Sequence, residues 1–228
     1  MAASRRASRP AEVVRALVDL EQAFGVEEVP VTARKRQSLP SADRAAQLAR
    51  VAQEATACTA CVLCRTRTRL VFGEGDPHAA LMFIGEAPGR EEDLQGRPFV
   101  GMAGQLLTKM IESIGLQRAD VYIANILKDR PPGNRQPEPS EVAACLPWLE
   151  QQLDIIRPRI ICTLGRHAAM ALLDPTIAIM RARGTWMAWR GTPVMPTLHP
   201  AYLLRNPDAK KLVWKDLKAI RDRLPQRP

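Results

Sequence analysis

Leu81-Met82-Phe83-Ile84-Gly85-Glu86-Ala87-Pro88-Gly89 is the stretch whose reading decides the fold. Four apolar residues in a row, without alternation, read as a short strand buried on both faces. The glycine, carboxylate, proline and second glycine that follow read as a loop leaving the carboxyl end of that strand. Downstream, Glu91, Glu92 and Asp93 run into the turn-rich Gly96-Arg97-Pro98-Phe99-Val100-Gly101. Taken alone, the pattern suits a strand-to-helix turn with a solvated acidic patch as well as it suits a site.

Working outward, Ser41 reads as a helix cap, and Leu48, Val51 and Ala55 give that helix an apolar face. Beyond the opening stretch, Leu106, Leu107, Met110, Ile111 and Ile114 predict a helix over 103–115, stopped at Gly115. Residues 121–124 form a second strand ending at Asn125. A proline-rich loop, 130–135, leads to a helix capped by Ser140 and ended by Pro158. Residues 159–164 form a third strand, and Gly165 opens a helix over 166–173. Residues 185–190 and 192–197 read as a hairpin about Arg190-Gly191, whose second arm leads to His199-Pro200. Asn206-Pro207 start a last helix.

This alternation predicts an α/β protein, a three-layer α/β/α sandwich around a central, mostly parallel four-stranded sheet. Ligands of such sheets bind outside the carboxyl ends of the strands. Those ends carry Glu86, Asn125, Gly165 and His199. An acid, an amide, a glycine and an imidazole thus converge on one edge, which defines a candidate site.

The 228 residues suffice for one substantial core, and no apolar run approaches the roughly 18 residues of a membrane span. Residues 1–10 are rich in Arg and Ser and free of acid, yet no apolar signal segment follows, so a cytoplasmic protein is expected. Residues 1–40 read as a flexible basic extension with a short helix over 11–23, and 41–228 as the functional domain. The net charge of +9 is concentrated late: residues 157–228 hold fourteen Lys/Arg against four Asp/Glu. That is the footprint of a polyanion-binding face, although a solvated terminal helix accounts for part of it. Cys58, Cys61 and Cys64, at C-x-x-C-x-x-C spacing, favour a metal or iron–sulfur site over disulfides in a chain without a secretory signal.

From Cys58 to Leu217 the chain resembles the uracil-DNA glycosylase superfamily, and within it the iron–sulfur-containing family 4. The resemblance rests on Gly85-Glu86-Ala87-Pro88-Gly89, Gly96–Gly101, Tyr122-Ile123-Ala124-Asn125 and His199-Pro200-Ala201-Tyr202-Leu203-Leu204-Arg205-Asn206, in that order. It implies an enzyme of base-excision repair that flips uracil out of DNA and hydrolyses its glycosidic bond. Glu86 would position water at C1′ and His199 would donate to uracil O2, both catalytic. Asn125 would read the base edge, Phe99 would stack on it, and Ala87, Pro88, Gly89 and Glu92 would complete the substrate pocket. Leu203 and Leu204 would fill the vacated stack, with Arg205 on phosphate. The partner is uracil-containing DNA, single- or double-stranded, and the protein is expected to be a monomer. The rival reading is a non-catalytic iron–sulfur DNA-binding module.

The same resemblance implies a 4Fe–4S cluster of structural role, held by Cys58, Cys61, a third cysteine and Cys145. The third position is Asp129 here, in Lys128-Asp129-Arg130-Pro131-Pro132. Three outcomes follow: Asp129 ligates through oxygen, Cys64 supplies the missing thiolate, or the region holds zinc or nothing. Cys162, inside an apolar strand, reads as a small core residue.

Overall fold

The computed structural model describes residues 41–225, so the extension and the helix expected over 11–23 lie outside the described residues. The strands are β1 (Glu74–Gly75), β2 (Leu81–Gly85), β3 (Tyr122–Asn125), β4 (Ile160–Leu164), β5 (Met187–Trp189) and β6 (Thr192–Thr197). The helices are α1 (Ser41–Thr56), α2 (Arg90–Gln95), α3 (Met102–Glu112), α4 (Pro139–Ile156), α5 (Arg166–Leu172), α6 (Ile179–Ala182), α7 (Pro200–Arg205) and α8 (Lys210–Arg223).

The sheet order is β1-β3-β2-β4-β6-β5. Strands β3, β2, β4 and β6 run parallel, while β1 and β5 pair antiparallel at the two edges. Among the described residues the sheet therefore has six strands, not four. The four expected strands are its centre. The additions are β5, the first arm of the hairpin, and β1, a two-residue strand. Edge strands this short offer little template for pairing with another chain.

Every residue of β2, β3 and β4 is buried, as parallel strands covered on both faces must be. Alternate residues serve opposite layers. Leu81, Phe83, Ile123 and Cys162 pack with Leu107 and Ile111 of α3, Leu203 of α7, and Val213, Leu217 and Ile220 of α8. Met82, Ile84, Tyr122, Ala124 and Ile161 pack with Leu48, Val51 and Ala55 of α1, Leu149 and Leu153 of α4, and Ala168 of α5. Helices thus cover both faces of the sheet.

Two local expectations shift. Helix α4 starts one residue before Ser140: Pro139 fills its first turn, and Glu141 accepts the Glu138 N–H at 2.9 Å. The last helix is preceded by a separate 3-10 turn, Pro207–Ala209. The hairpin forms as read, with positive φ at Arg190 (45°) and Gly191 (82°), the pattern that suits the twist of a two-residue turn.

Candidate active site

The carboxyl ends of the parallel strands open onto a cleft of about 520 Å³. Glu86, Ala87, Pro88, Gly89, Glu92, Phe99, Asn125, His199 and Arg205 all line it. The sheet register explains much of this. Gly85 pairs directly with Asn125, and Ile126 and Leu127 extend the pairing by donating to the Gly85 and Glu86 carbonyls, each at 3.0 Å. A side chain on Gly85 would collide with Asn125 Oδ1 and with the Phe99 ring. The missing Cβ is what lets both lie over this strand end.

Asn125 is buried, and its Oδ1 has no hydrogen-bond partner. An unsatisfied buried acceptor costs about 1–3 kcal/mol, and Asn125 is among the residues that line the cleft. Phe99 is buried at φ 51°, in the left-handed region that a bulky residue rarely adopts. Its loop is held by Arg118, which donates to the Pro98 carbonyl and pairs with Glu74 at 2.7 Å. Gly104 of α3 lies so close beneath the Phe99 backbone that a Cβ there would overlap it.

Glu92 is a bracket between two loops. Its Oε2 accepts the Gly89 N–H at 3.1 Å, and its Oε1 accepts the Val100 and Gly101 N–H groups, each at 2.9 Å. One carboxylate at the start of α2 thereby ties the Ala87–Gly89 loop to the loop that carries Phe99.

His199 caps α7, with Nδ1 accepting the Ala201 N–H at 3.1 Å. That bond assigns the ring proton to Nε2 and makes Nε2–H the available donor. Burial pushes the imidazole down to about 4, with the Arg205 charge adding to the shift and Glu92 opposing it. The ring is therefore neutral at physiological pH. Its centroid lies 5.7 Å from that of Phe99. Below it, Thr197 donates to Asp216 at 2.6 Å, and Asp216 also pairs with Arg183, which anchors the end of β6.

Sequence reasoning missed several participants. His167, at the start of α5, places Nδ1 2.7 Å from Glu86 Oε2. Ala103, Pro131, Asn134, Arg135, Ala201 and Tyr202 also line the cleft. The proline-rich loop was the available signal for Pro131, Asn134 and Arg135; His167 has none, because its partner is 81 positions away.

The segment expected to fill the vacated stack divides. Leu203 is 1% exposed and belongs to the core, whereas Leu204 is 39% exposed and Tyr202 37%. Neighbours on a helix point about 100° apart, so two adjacent leucines do not share one outward face. Some of the late basic charge is consumed internally: Arg183 by Asp216, and Arg223 over the Trp186 ring at 4.4 Å.

The cysteines gather elsewhere. Cys58, Cys61, Cys64, Asp129 and Cys145 line one small cleft beside Lys128 and Trp148. Cys145 Sγ accepts the Lys128 N–H at 3.1 Å, the kind of bond that supports a thiolate. The Asp129 carboxylate faces Arg67 Nη1 at 3.0 and 3.4 Å, and Arg67 also donates to the Thr56 carbonyl at 2.5 Å. Among the described residues, no three His, Cys, Asp or Glu side chains are set to hold a single metal ion. Four thiols around one cleft suit the donor set of an iron–sulfur cluster. Cys162 is fully buried in β4.

Parallel strand ends that bring a carboxylate, an unpartnered amide oxygen and a neutral imidazole to one cleft build an enzyme site of the α/β class. The family model described as "Uracil DNA glycosylase superfamily" matches residues 72–218. The type-4 uracil-DNA glycosylase of Sulfurisphaera tokodaii is 48% identical over 169 residues, covering 70% of this chain and 77% of that protein. Those of Saccharolobus solfataricus (45% over 175 residues, 73% and 81%) and Thermotoga maritima (46% over 155 residues, 66% and 81%) are similar to the same region. The chain belongs to the uracil DNA glycosylase superfamily.

Proposed function

We propose that the cleft receives a uracil rotated out of DNA and that the residues around it divide the hydrolysis of its glycosidic bond. The activity is that of a uracil-DNA glycosylase in DNA repair, as family membership and the type-4 relatives indicate. The observation that carries the pocket reading is the unpartnered Asn125 Oδ1. Uracil N3–H supplies the donor it lacks, whereas cytosine presents an unprotonated N3 and would leave it orphaned. Phe99 stacks on the ring, which is worth about 1–3 kcal/mol.

In the reaction the C1′–N1 bond breaks and its electron pair leaves on uracil. The charge gathers on O2, where Nε2–H of neutral His199 donates. A water oxygen bonds to C1′ and its proton passes to Glu86. The ionised carboxylate also favours the cation-like sugar that precedes attack. Uracil is protonated by solvent after release. Leu204 and Tyr202 occupy the stack the base has left, and Arg205 contacts phosphate; Leu203 supports them from the core.

The cysteine cleft is proposed to hold an iron–sulfur cluster through Cys58, Cys61, Cys145 and Cys64. Asp129, the alternative fourth ligand, is engaged by Arg67. The cluster would be structural, fixing the segment that carries Arg67 and Thr68. That segment is also pinned by Asp93, which accepts the Thr68 N–H at 2.8 Å and its hydroxyl at 2.7 Å. Residues 41–228 are read as one catalytic domain, monomeric and cytoplasmic; among the described residues no helix is long and apolar enough to cross a membrane.

The test is base release from oligonucleotides carrying U·G, U·A or single-stranded uracil. Asn125→Asp places a carboxylate against uracil O4 and is expected to lower release at least about 100-fold while the protein still binds abasic DNA. Undiminished release by Asn125→Asp would overturn the pocket assignment.

A further inference from the structure

The turn that joins β4 to α5 touches both ends of the catalytic apparatus. Gly165, at φ 89°, is so close to His199 that a Cβ on it would lie 3.0 Å from the His199 Cβ, and its N–H donates to the Thr197 carbonyl at 2.8 Å. Two residues on, His167 Nδ1 meets Glu86 Oε2 at 2.7 Å. Glu86 lines the cleft and His167 does not. We propose that His167 is a positioning residue for hydrolysis, acting only through Glu86. The proposal rests on the reading of Glu86 as the residue that handles water.

An ionised carboxylate can only accept, so Nδ1 carries the hydrogen of this bond. The bond engages Oε2 and leaves Oε1 as the oxygen for water. A glutamate on a loop otherwise samples several rotamers, and each lost rotamer moves the water-holding oxygen by an ångström or more. Misplacement on that scale costs about 100-fold in rate. The two side chains are 31% and 30% exposed, and a pair so accessible adds little to stability. Variants of His167 are therefore expected to fold, with their defect confined to the chemical step.

The experiment is a double-mutant cycle in single-turnover base release with enzyme in excess. It is paired with affinity for DNA carrying 2′-fluoro-2′-deoxyuridine, which resists cleavage. His167→Ala is expected to slow release about 10–100-fold with affinity unchanged. His167→Asn, whose amide N–H falls near the Nδ1 position, is expected to recover most of the rate, and His167→Phe, of similar size without a donor, is not. In a Glu86→Ala background His167→Ala should have no further effect, because its only route is gone. The proposal is overturned if His167→Ala is within twofold of the parent, if Asn and Phe behave alike, if affinity falls instead of rate, or if the two losses multiply. Glu86→Ala alone separates the levels: full activity there removes the underlying reading of Glu86, while loss there with an intact His167→Ala removes only the role of His167.

Discussion

Removal of Glu92 should unfasten the site without touching the base. Its carboxylate accepts three backbone N–H groups, from Gly89, Val100 and Gly101, at 2.9–3.1 Å. Hydrogen bonds to a charged acceptor are worth about 1.5–3 kcal/mol each when buried. Glu92 is half-buried, so solvent screening reduces each to about 1 kcal/mol. Glu92→Ala is then expected to destabilise the domain by about 2–4 kcal/mol, which for a domain of this size lowers the melting temperature by about 5–15 °C. Glu92→Gln keeps the oxygen that serves Val100 and Gly101 and turns an amide N–H toward the Gly89 N–H, so its cost should be about 1–2 kcal/mol.

Urea denaturation at neutral pH measures the stability change, and single-turnover release on a uracil oligonucleotide measures the consequence for chemistry. Activity should fall in the order parent, Gln, Ala, in step with stability, because the Phe99 loop and the Ala87–Gly89 loop lose their shared tie. If Glu92→Ala abolishes release while stability stays within 0.5 kcal/mol, roughly the scatter expected of a neutral surface substitution, the bracket account is wrong and Glu92 acts on substrate directly.

Three further outcomes are expected. His199 has a folded value near 4, below the ordinary 6.5, so the unfolded chain takes up a proton first as pH falls. Its neutral form contributes stability in full above about 6.5 that is lost progressively down to about 4, and His199→Gln should flatten that part of a urea-midpoint-against-pH curve. Release should show no inflection from His199 between pH 5 and 8, and His199→Ala should cost about 100–1,000-fold in rate. Cys64→Ser is expected to lower iron and sulfide per chain in anaerobically purified protein while Asp129→Ala leaves them near the parent; the reverse pattern would restore Asp129 as the ligand. Leu203→Ala should destabilise by about 2–5 kcal/mol as a core truncation. Leu204→Ala should leave stability unchanged and weaken release from duplex more than from single-stranded DNA.

The buried strands were legible because a parallel sheet demands unbroken apolar runs, and Leu81–Ile84 and Ile160–Leu164 have no other economical reading. The hairpin was legible because Arg190-Gly191 sits between two strand-like arms. The convergence of Glu86, Asn125 and His199 followed from topology, since parallel strands deliver their following residues to one edge. What stayed hidden depended on side-chain direction or on contact across the fold. Leu203 and Leu204 are equal in composition, and only the six-residue helix α7 decides that the first goes inward. Glu92 sits in an acidic run whose neighbour Glu91 is exposed, and no local pattern reveals which glutamate folds back onto two loops. Ser140 is a good cap by type, but Pro139 beside it suits the first helical turn and moves the boundary outward.

The residues proposed to carry chemistry are held by residues that carry none. Gly85 leaves room for Asn125 and Phe99, Gly104 admits the strained Phe99 backbone, and Gly165 lets His199 close against the end of β4. Ion pairs complete the frame: Glu74 with Arg118 behind Phe99, and Arg183 with Asp216 behind His199. Strain at φ 51° and an orphaned Oδ1 are both unfavourable in the free protein, by roughly 1–3 kcal/mol each. They persist because the surrounding bonds over-determine them. On the proposed reading, a flipped base would satisfy the second and stack on the ring that bears the first. Part of the binding energy would then come from pairing that buried acceptor, which a substrate lacking the N3–H donor could not do. Selectivity for uracil would then reside in a cost the protein already bears rather than in any added contact.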